Sequence, residues 1–322
     1  MGNFGKILIE STLAFLVAGS IYTGEISDFS KKIEDFRKAT PIIGINTTVN
    51  PSTMDFRNIF GEAGKANFTN LEIYYIPFKK SEATLLKISG QTILVNTGTQ
   101  EDIGELKEFL KSQNINRIDH LILTLPTYEN MGGAADLVDT MKVDKIYMPL
   151  VSLDNVMVEN FFGVLMNKNQ KLTQINKGDT IEVGRARIDI LNVLNSETTN
   201  KTDASISFVL TLDEKSFLFT GDLEKNKQKE IRWPDVDVLK LGNSGKDQYV
   251  SEEIIRSAKP EYVIGANYNG EIDRNVENLI NLVNTETSSN MEILKSTSKD
   301  IILLKCNGEE ITVFQMPYPK KN

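Results

Sequence analysis

From residue 71 onward, short apolar runs alternate with segments whose apolar residues recur every three or four positions. Residues 71–76, 83–88 and 92–95 are rich in β-branched and aromatic side chains and bounded by polar turns. They predict a meander whose last two strands join through Ser89-Gly90-Gln91. Over 101–113, Ile103, Leu106, Phe109 and Leu110 share one helical face, and a strand is predicted at 120–124. A helix over 132–141, a strand over 145–148 and a helix within 153–169 around Phe161, Phe162 and Leu165 follow.

The second half repeats this texture. Hairpins are predicted for 180–183 with 186–191 across Gly184-Arg185, and for 205–212 with 216–220 across Asp213-Glu214-Lys215. Strands at 236–241 and 262–266 alternate with helices near 250–258 and 274–283. Asn307-Gly308 then turns a last hairpin of 301–306 and 310–314. Two successive sets, each a meander followed by alternating strands and helices, predict an α/β fold: a four-layer αββα sandwich with two facing sheets and helices on both outer faces.

The leading segment differs. Residues 7–22 form an apolar run interrupted by Glu10, Ser11 and Thr12 and preceded by Lys6. The run approaches the ~20 residues of a transmembrane helix. Three readings fit an N-terminal hydrophobic helix over 1–24. An uncleaved signal anchor would keep Lys6 inside the cell. A cleaved signal peptide fits Ala18 and Ser20 at small-x-small spacing. A buried or partner-facing helix fits Glu10, which is costly at a bilayer centre. The first two make the protein membrane-anchored with an extracytoplasmic domain, or secreted. Ile26, Phe29, Ile33 and Phe36 mark an amphipathic helix over 26–38, and the Asn-, Thr- and Gly-rich stretch 46–70 reads as a linker. The expected organisation is therefore 1–24, 25–70, a folded domain over 71–316, and a solvated tail over 317–322.

Composition narrows the chemistry. At 322 residues and 40% hydrophobic the chain can bury a large core, and its formal charge of −8 gives no support to nucleic acid as a partner. Cys306 is the only cysteine, so no intrachain disulfide or cysteine-rich zinc site forms; it reads as a small buried hydrophobe. His120 is the only histidine. A Ser/His/Asp or Cys/His arrangement would need it as the base, and no motif sets a nucleophile beside it.

Residues 121–133, Leu-Ile-Leu-Thr-Leu-Pro-Thr-Tyr-Glu-Asn-Met-Gly-Gly, resemble the T-H-x-H-x-D-H-x-G-G signature of the metallo-β-lactamase superfamily. Residues 93–98 (Ile-Leu-Val-Asn-Thr-Gly), 110–119, 216–224 (Ser-Phe-Leu-Phe-Thr-Gly-Asp-Leu-Glu), 237–245 (Asp-Val-Leu-Lys-Leu-Gly-Asn-Ser-Gly) and 258–264 match further family blocks in order. Within the superfamily they are most similar to the carboxy-terminal domain of competence DNA-uptake channel proteins. The resemblance implies the αββα fold over about 71–314 and, in active relatives, a two-metal hydrolytic site.

The same resemblance shows which ligands are missing. The loop positions that would supply His, His, Asp and His are Leu125, Thr127, Glu129 and Asn130, and the later His-His pair is Asn243-Ser244. Only the bridging aspartate remains, as Asp222. A hydrolytic zinc site needs about three protein ligands per ion, usually with imidazole among them, to generate hydroxide near neutral pH. Leucine and threonine cannot provide it, and His120 lies five positions before Leu125. Neither a metal nor another cofactor is therefore expected. Gly132-Gly133, Gly242 and Gly245 read as loop geometry, Trp233 as a packing residue, and Lys240 and Lys246 as loop-flanking charges.

The leading reading is thus a non-catalytic, metal-free domain serving as an exported or membrane-tethered binding or structural module. Its expected partner is a protein or a membrane-associated assembly, with membrane contact through residues 7–22. The alternative is a hydrolase or nuclease working through a hard cation held by Glu129, Asp222 and Asp203. A third reading makes the chain a subunit of a surface or secretion assembly, docked through 26–38.

Overall fold

A computed structural model describes residues 71–151, 155–195, 200–266 and 268–318. The expected helices at 1–24 and 26–38, the linker at 46–70 and the end of the tail lie outside the described residues. Among the described residues no helix is long and apolar enough to cross a membrane.

Two seven-stranded sheets carry the fold. The first contains β1 (Leu71–Pro77), β2 (Glu82–Ile88), β3 (Gln91–Val95), β4 (Arg117–Ile122), β5 (Lys142–Tyr147), β13 (Asp300–Cys306) and β14 (Ile311–Pro317), in the order β14-β13-β1-β2-β3-β4-β5. The second contains β6 (Thr180–Val183), β7 (Ala186–Asn192), β8 (Ser207–Leu212), β9 (Lys215–Phe219), β10 (Val238–Lys240), β11 (Tyr262–Ala266) and β12 (Glu292–Ser296), in the order β12-β11-β10-β9-β8-β7-β6. Each sheet begins antiparallel and becomes parallel, at β3-β4-β5 in the first and β9-β10-β11-β12 in the second.

Alternation along each strand explains the layering. Ile73, Tyr75, Leu86 and Ile93 of the first sheet meet Ile188, Phe208, Leu210 and Phe217 of the second in a core between the sheets. Tyr74, Leu85, Leu94 and Leu121 point the other way. They pack on the helices α1 (Ile103–Ser112), α3 (Ala134–Thr140) and α4 (Val156–Asn167), of which Leu106, Phe109, Leu137 and Phe161 belong to the same cluster. Behind the second sheet, Leu218, Leu239 and Val263 meet Ile254, Ile255, Val276 and Ile280 from α6 (Glu252–Ala258) and α7 (Arg274–Thr287). Strands covered on both faces read as near-continuous apolar runs, as the sequence does here.

The structure corrects several boundaries. The predicted helix over 132–141 is α3, which starts only at Ala134, and a separate single turn, α2 (Tyr128–Met131), precedes it. Ser205 belongs to the turn before β8 rather than to the strand. Strand β12 was not anticipated, because Glu292 and Lys295 interrupt its apolar pattern. The tail does not start at 317: Pro317 closes β14, and Tyr318 packs against the helix-covered core. A second single turn, α5 (Lys225–Gln228), follows β9. Cys306 and Trp233 are buried, as their packing readings require.

Candidate functional site

The loops after parallel strands β3, β4, β9 and β10 converge at the carboxyl ends of the two sheets, where open α/β sheets present their ligand sites. The positions that the resemblance aligns with metal ligands sit here, and their environments differ. Leu125 is 2% exposed. Thr127 is half-buried and precedes α2, on which Glu129 is exposed and Asn130 buried. Asp222 is buried in the loop after β9, and Asn243 and Ser244 sit half-buried after β10 in left-handed backbone (φ 41° and 57°).

A continuous hydrogen-bond chain joins these loops. The Thr124 backbone N–H and hydroxyl donate to Asn96 Oδ1 at 2.9 and 3.0 Å. Asn96 Nδ2 donates to Asn130 Oδ1 at 3.1 Å, and Asn130 Nδ2 donates to Thr127 Oγ1 at 3.0 Å and to Asp222 Oδ2 at 2.8 Å. The other Asp222 oxygen accepts the Asn243 backbone N–H at 3.0 Å. The Asp222 N–H donates to Ser205 Oγ at 2.8 Å, and that hydroxyl donates to the Thr124 carbonyl at 3.4 Å. Asp222 is therefore both the turn residue expected after Gly221 and the acceptor for a donor delivered from the opposite sheet.

A second polar contact was not foreseen. Lys240, expected to flank the loop, turns its ammonium inward and donates to Glu82 Oε1 at 2.6 Å and to the Leu241 carbonyl at 2.8 Å. Lys240 is 7% exposed and Glu82 16%. Ser244 Oγ donates to the Ala266 carbonyl at 2.7 Å and to Glu82 Oε2 at 3.4 Å. Glu82, Thr84, Asn96, Thr124, Asp222 and Lys240 line a cavity of about 30 Å³, room for ordered water. Burial raises the Asp222 carboxyl above its ordinary range, against the lowering pull of Asn130, the Asn243 N–H, Lys240 and Lys246. Burial raises Glu82 likewise, with Lys240 opposing and Asp222 reinforcing. A lysine inside an apolar strand is a readable signal, because such a residue is rarely buried without a partner; the identity of that partner is not readable.

Other candidates fall away from this centre. The Asp203 carboxylate accepts from Asn200 Nδ2 at 3.3 Å, and burial raises its pKa. Among the described residues no group of three or more His, Cys, Asp or Glu is placed to hold a metal ion, so Glu129, Asp203 and Asp222 are not gathered into a carboxylate cage. His120 is buried in β4, with Nδ1 3.1 Å from the Tyr147 hydroxyl and Nε2 3.3 Å from Gln91 Oε1; burial lowers its pKa. It is a structural histidine. Gly132 is required by close approach rather than by an unusual φ: a Cβ there would lie 2.7 Å from the Gln100 nitrogen and 2.6 Å from the Tyr128 oxygen.

The residues present do not fit the zinc centre of the fold. Leu125 offers no lone pair. A carboxylate accepts hydrogen bonds, so Asn130 turns its NH₂ toward Asp222 and presents protons where a ligand would present electrons. Ser244 spends its hydroxyl proton on backbone, and no imidazole stands within this network to act as a base.

The comparisons with known proteins bear directly on this framework. The family model of the metallo-β-lactamase superfamily matches residues 77–266. The chain belongs to the metallo-β-lactamase superfamily. The chain is also 25% identical over 160 residues to ComE operon protein 3 of Bacillus subtilis, an alignment covering 48% of this chain and 21% of that relative's length. The chain thus spans about a fifth of the relative it matches. Similar solved structures include YhfI from Bacillus subtilis, a metallo-β-lactamase-fold protein (13% identity, TM-score 0.48, 70% of this chain and 97% of that one). Another is the diiron β-hydroxylase CmlA of Streptomyces venezuelae (14% identity, TM-score 0.46, 73% and 54%).

Proposed function

We propose that this chain is a non-catalytic, metal-free member of the superfamily, acting as a binding or structural module exported from the cell or held at a membrane. The observation that carries this reading is the 2.8 Å hydrogen bond from Asn130 to Asp222. The one acidic position retained from the active pattern is stabilised by an amide and a backbone N–H, and its retention follows from packing without reference to an ion. The apolar segment 7–22 supports the export or tethering.

The test is metal analysis of the purified protein after exposure to zinc and manganese, together with assays on DNA, RNA, nucleotide and β-lactam substrates. Less than about a tenth of an equivalent of metal and no turnover are expected. One equivalent or more of either metal, removable by chelation together with a hydrolytic activity, overturns the proposal. Fractionation of cells expressing the full chain checks its location, with a soluble cytoplasmic pool as the contrary result.

A further inference from the structure

The outer face of the second sheet carries a cleft that the superfamily framework does not account for. Along β7, β8 and β9, Ile188, Phe208, Leu210 and Phe217 enter the core between the sheets, so the residues that alternate with them turn outward. The register sets Arg187 opposite Thr211 and Thr211 opposite Ser216 in one row, and Asp189 opposite Val209 in the next. The loop between α5 and β10, with Trp233 and Pro234, forms the facing wall. The cleft between them measures about 450 Å³, within the range of about 300–1,000 Å³ usual for small-molecule sites.

Its lining combines an apolar bed with one uncompensated charge. Leu191, Val209 and Pro234 supply aliphatic surface. The Trp233 indole N–H is spent on the Gln228 carbonyl at 2.9 Å, so what this residue offers a ligand is ring carbon. Of the charged lining residues, Asp189 lies 2.8 Å from Arg187 Nε and accepts the Thr180 hydroxyl at 2.7 Å, and Asp235 faces Lys259 at 3.4 Å. Arg232 is exposed and has neither a hydrogen bond nor an ion pair among the described residues.

We propose that this cleft binds a small amphipathic carboxylate. Its apolar body lies against Leu191, Val209 and Trp233, and its head pairs with Arg232, whose planar guanidinium takes a carboxylate through two parallel hydrogen bonds. Thr211, whose hydroxyl has no partner among the described residues, lines the same cleft and supplies a further donor. The lining also sets the charge of the ligand. Asp189 and Asp235 repel a multiply charged anion, and a neutral apolar molecule leaves the Arg232 charge unused, so a single negative charge fits best.

Trp233, the single tryptophan, stands in the wall and serves as the reporter. The full chain is titrated with ω-bromodecanoate, whose bromine quenches tryptophan only on contact, so molecules bound elsewhere on the chain stay silent. Saturable quenching with a midpoint below about 1 mM is expected. The neutral ω-bromodecanol, with the same body, should need at least tenfold more. Arg232→Gln, at an exposed and unpaired position, should raise the bromodecanoate midpoint at least tenfold while the melting temperature stays near that of the parent, and Arg232→Lys should recover part of the loss. Thr211→Phe, which fills the bed from an outward position, should abolish the quenching in a protein that still melts cooperatively. Absence of saturable quenching by bromodecanoate, equal quenching by bromodecanol, or a midpoint that Arg232→Gln leaves unchanged overturns the proposal.

Discussion

Replacing Lys240 with methionine isolates an ion pair that joins the two sheets. Glu82 opens β2 of the first sheet and Lys240 closes β10 of the second; their charged atoms lie 2.6 Å apart. Both are almost withdrawn from water, so Lys240→Met leaves a buried carboxylate without its cation. Breaking such a pair from one side costs about 3–5 kcal/mol. Removing both charges, as in Glu82→Leu with Lys240→Met, leaves nothing uncompensated. The double variant should then lie well above the sum of the singles and close to the parent, since apolar replacements of buried pairs are often neutral or stabilising by about 1–4 kcal/mol. The pH dependence has a definite sign. Burial already raises the Glu82 carboxyl, and loss of Lys240 raises it further. A raised folded-state pKa contributes stability that is fully present below the unfolded value and lost as pH rises through the folded one. The deficit of Lys240→Met should therefore be largest near neutrality and shrink toward pH 4. Urea unfolding followed by the fluorescence of Trp233, the single tryptophan and 5% exposed, reads these differences. A single-variant loss under about 1 kcal/mol at pH 7, or a double variant as unstable as the two singles summed, refutes the reasoning.

Three further outcomes follow from the same geometry. Asn130→Ala removes the donor to Asp222 Oδ2 and should cost about 1–3 kcal/mol in urea unfolding, with metal content unchanged. Gly221→Ala should cost about 2 kcal/mol or more, because the backbone is left-handed (φ 57°) and a Cβ would sit 2.3 Å from Ser205 Oγ; wild-type stability of the alanine variant would contradict this. His120 is the only histidine, and burial lowers its pKa, so the native state resists a proton that the unfolded chain accepts near 6.5. Stability conferred by neutral His120 should be present above that value and decline as pH falls below it. The difference between wild type and His120→Gln from pH 7.5 to 5 reads it free of Asp222 and Glu82, whose raised pKa values act with the opposite sign.

Much of the architecture was legible because it rests on local signals. Ile103, Leu106, Phe109 and Leu110 mark α1 by spacing alone, and all four are buried. Asn307-Gly308 announces the β13–β14 turn, with Gly308 at φ 100°. β12 escaped because it sits at a sheet edge, where Glu292 and Lys295 are tolerated and the alternation is blurred. The grouping of these loops was legible too, since Leu125, Thr127, Glu129 and Asn130 follow β4, Asp222 follows β9, and Asn243 and Ser244 follow β10. Its internal wiring was not. Glu82 and Lys240 are 158 positions apart, and Asn130 and Asp222 are 92 apart, distances over which no local pattern operates.

That wiring also bears on what a carboxylate at position 222 requires. A buried carboxylate between the sheets is a costly arrangement unless it is hydrogen-bonded. Asn130 supplies a donor from α2 and Asn243 supplies a backbone N–H from a left-handed turn, so both carboxylate oxygens are satisfied from opposite sides. Leu125 contributes a buried apolar side chain in the same loop, and Lys240 with Glu82 joins the sheets one step further in. These residues form a mutually consistent set. Asp222 is held as a hydrogen-bond acceptor by Asn130 and Asn243, and the two sheets are joined at this end by hydrogen bonds and an ion pair.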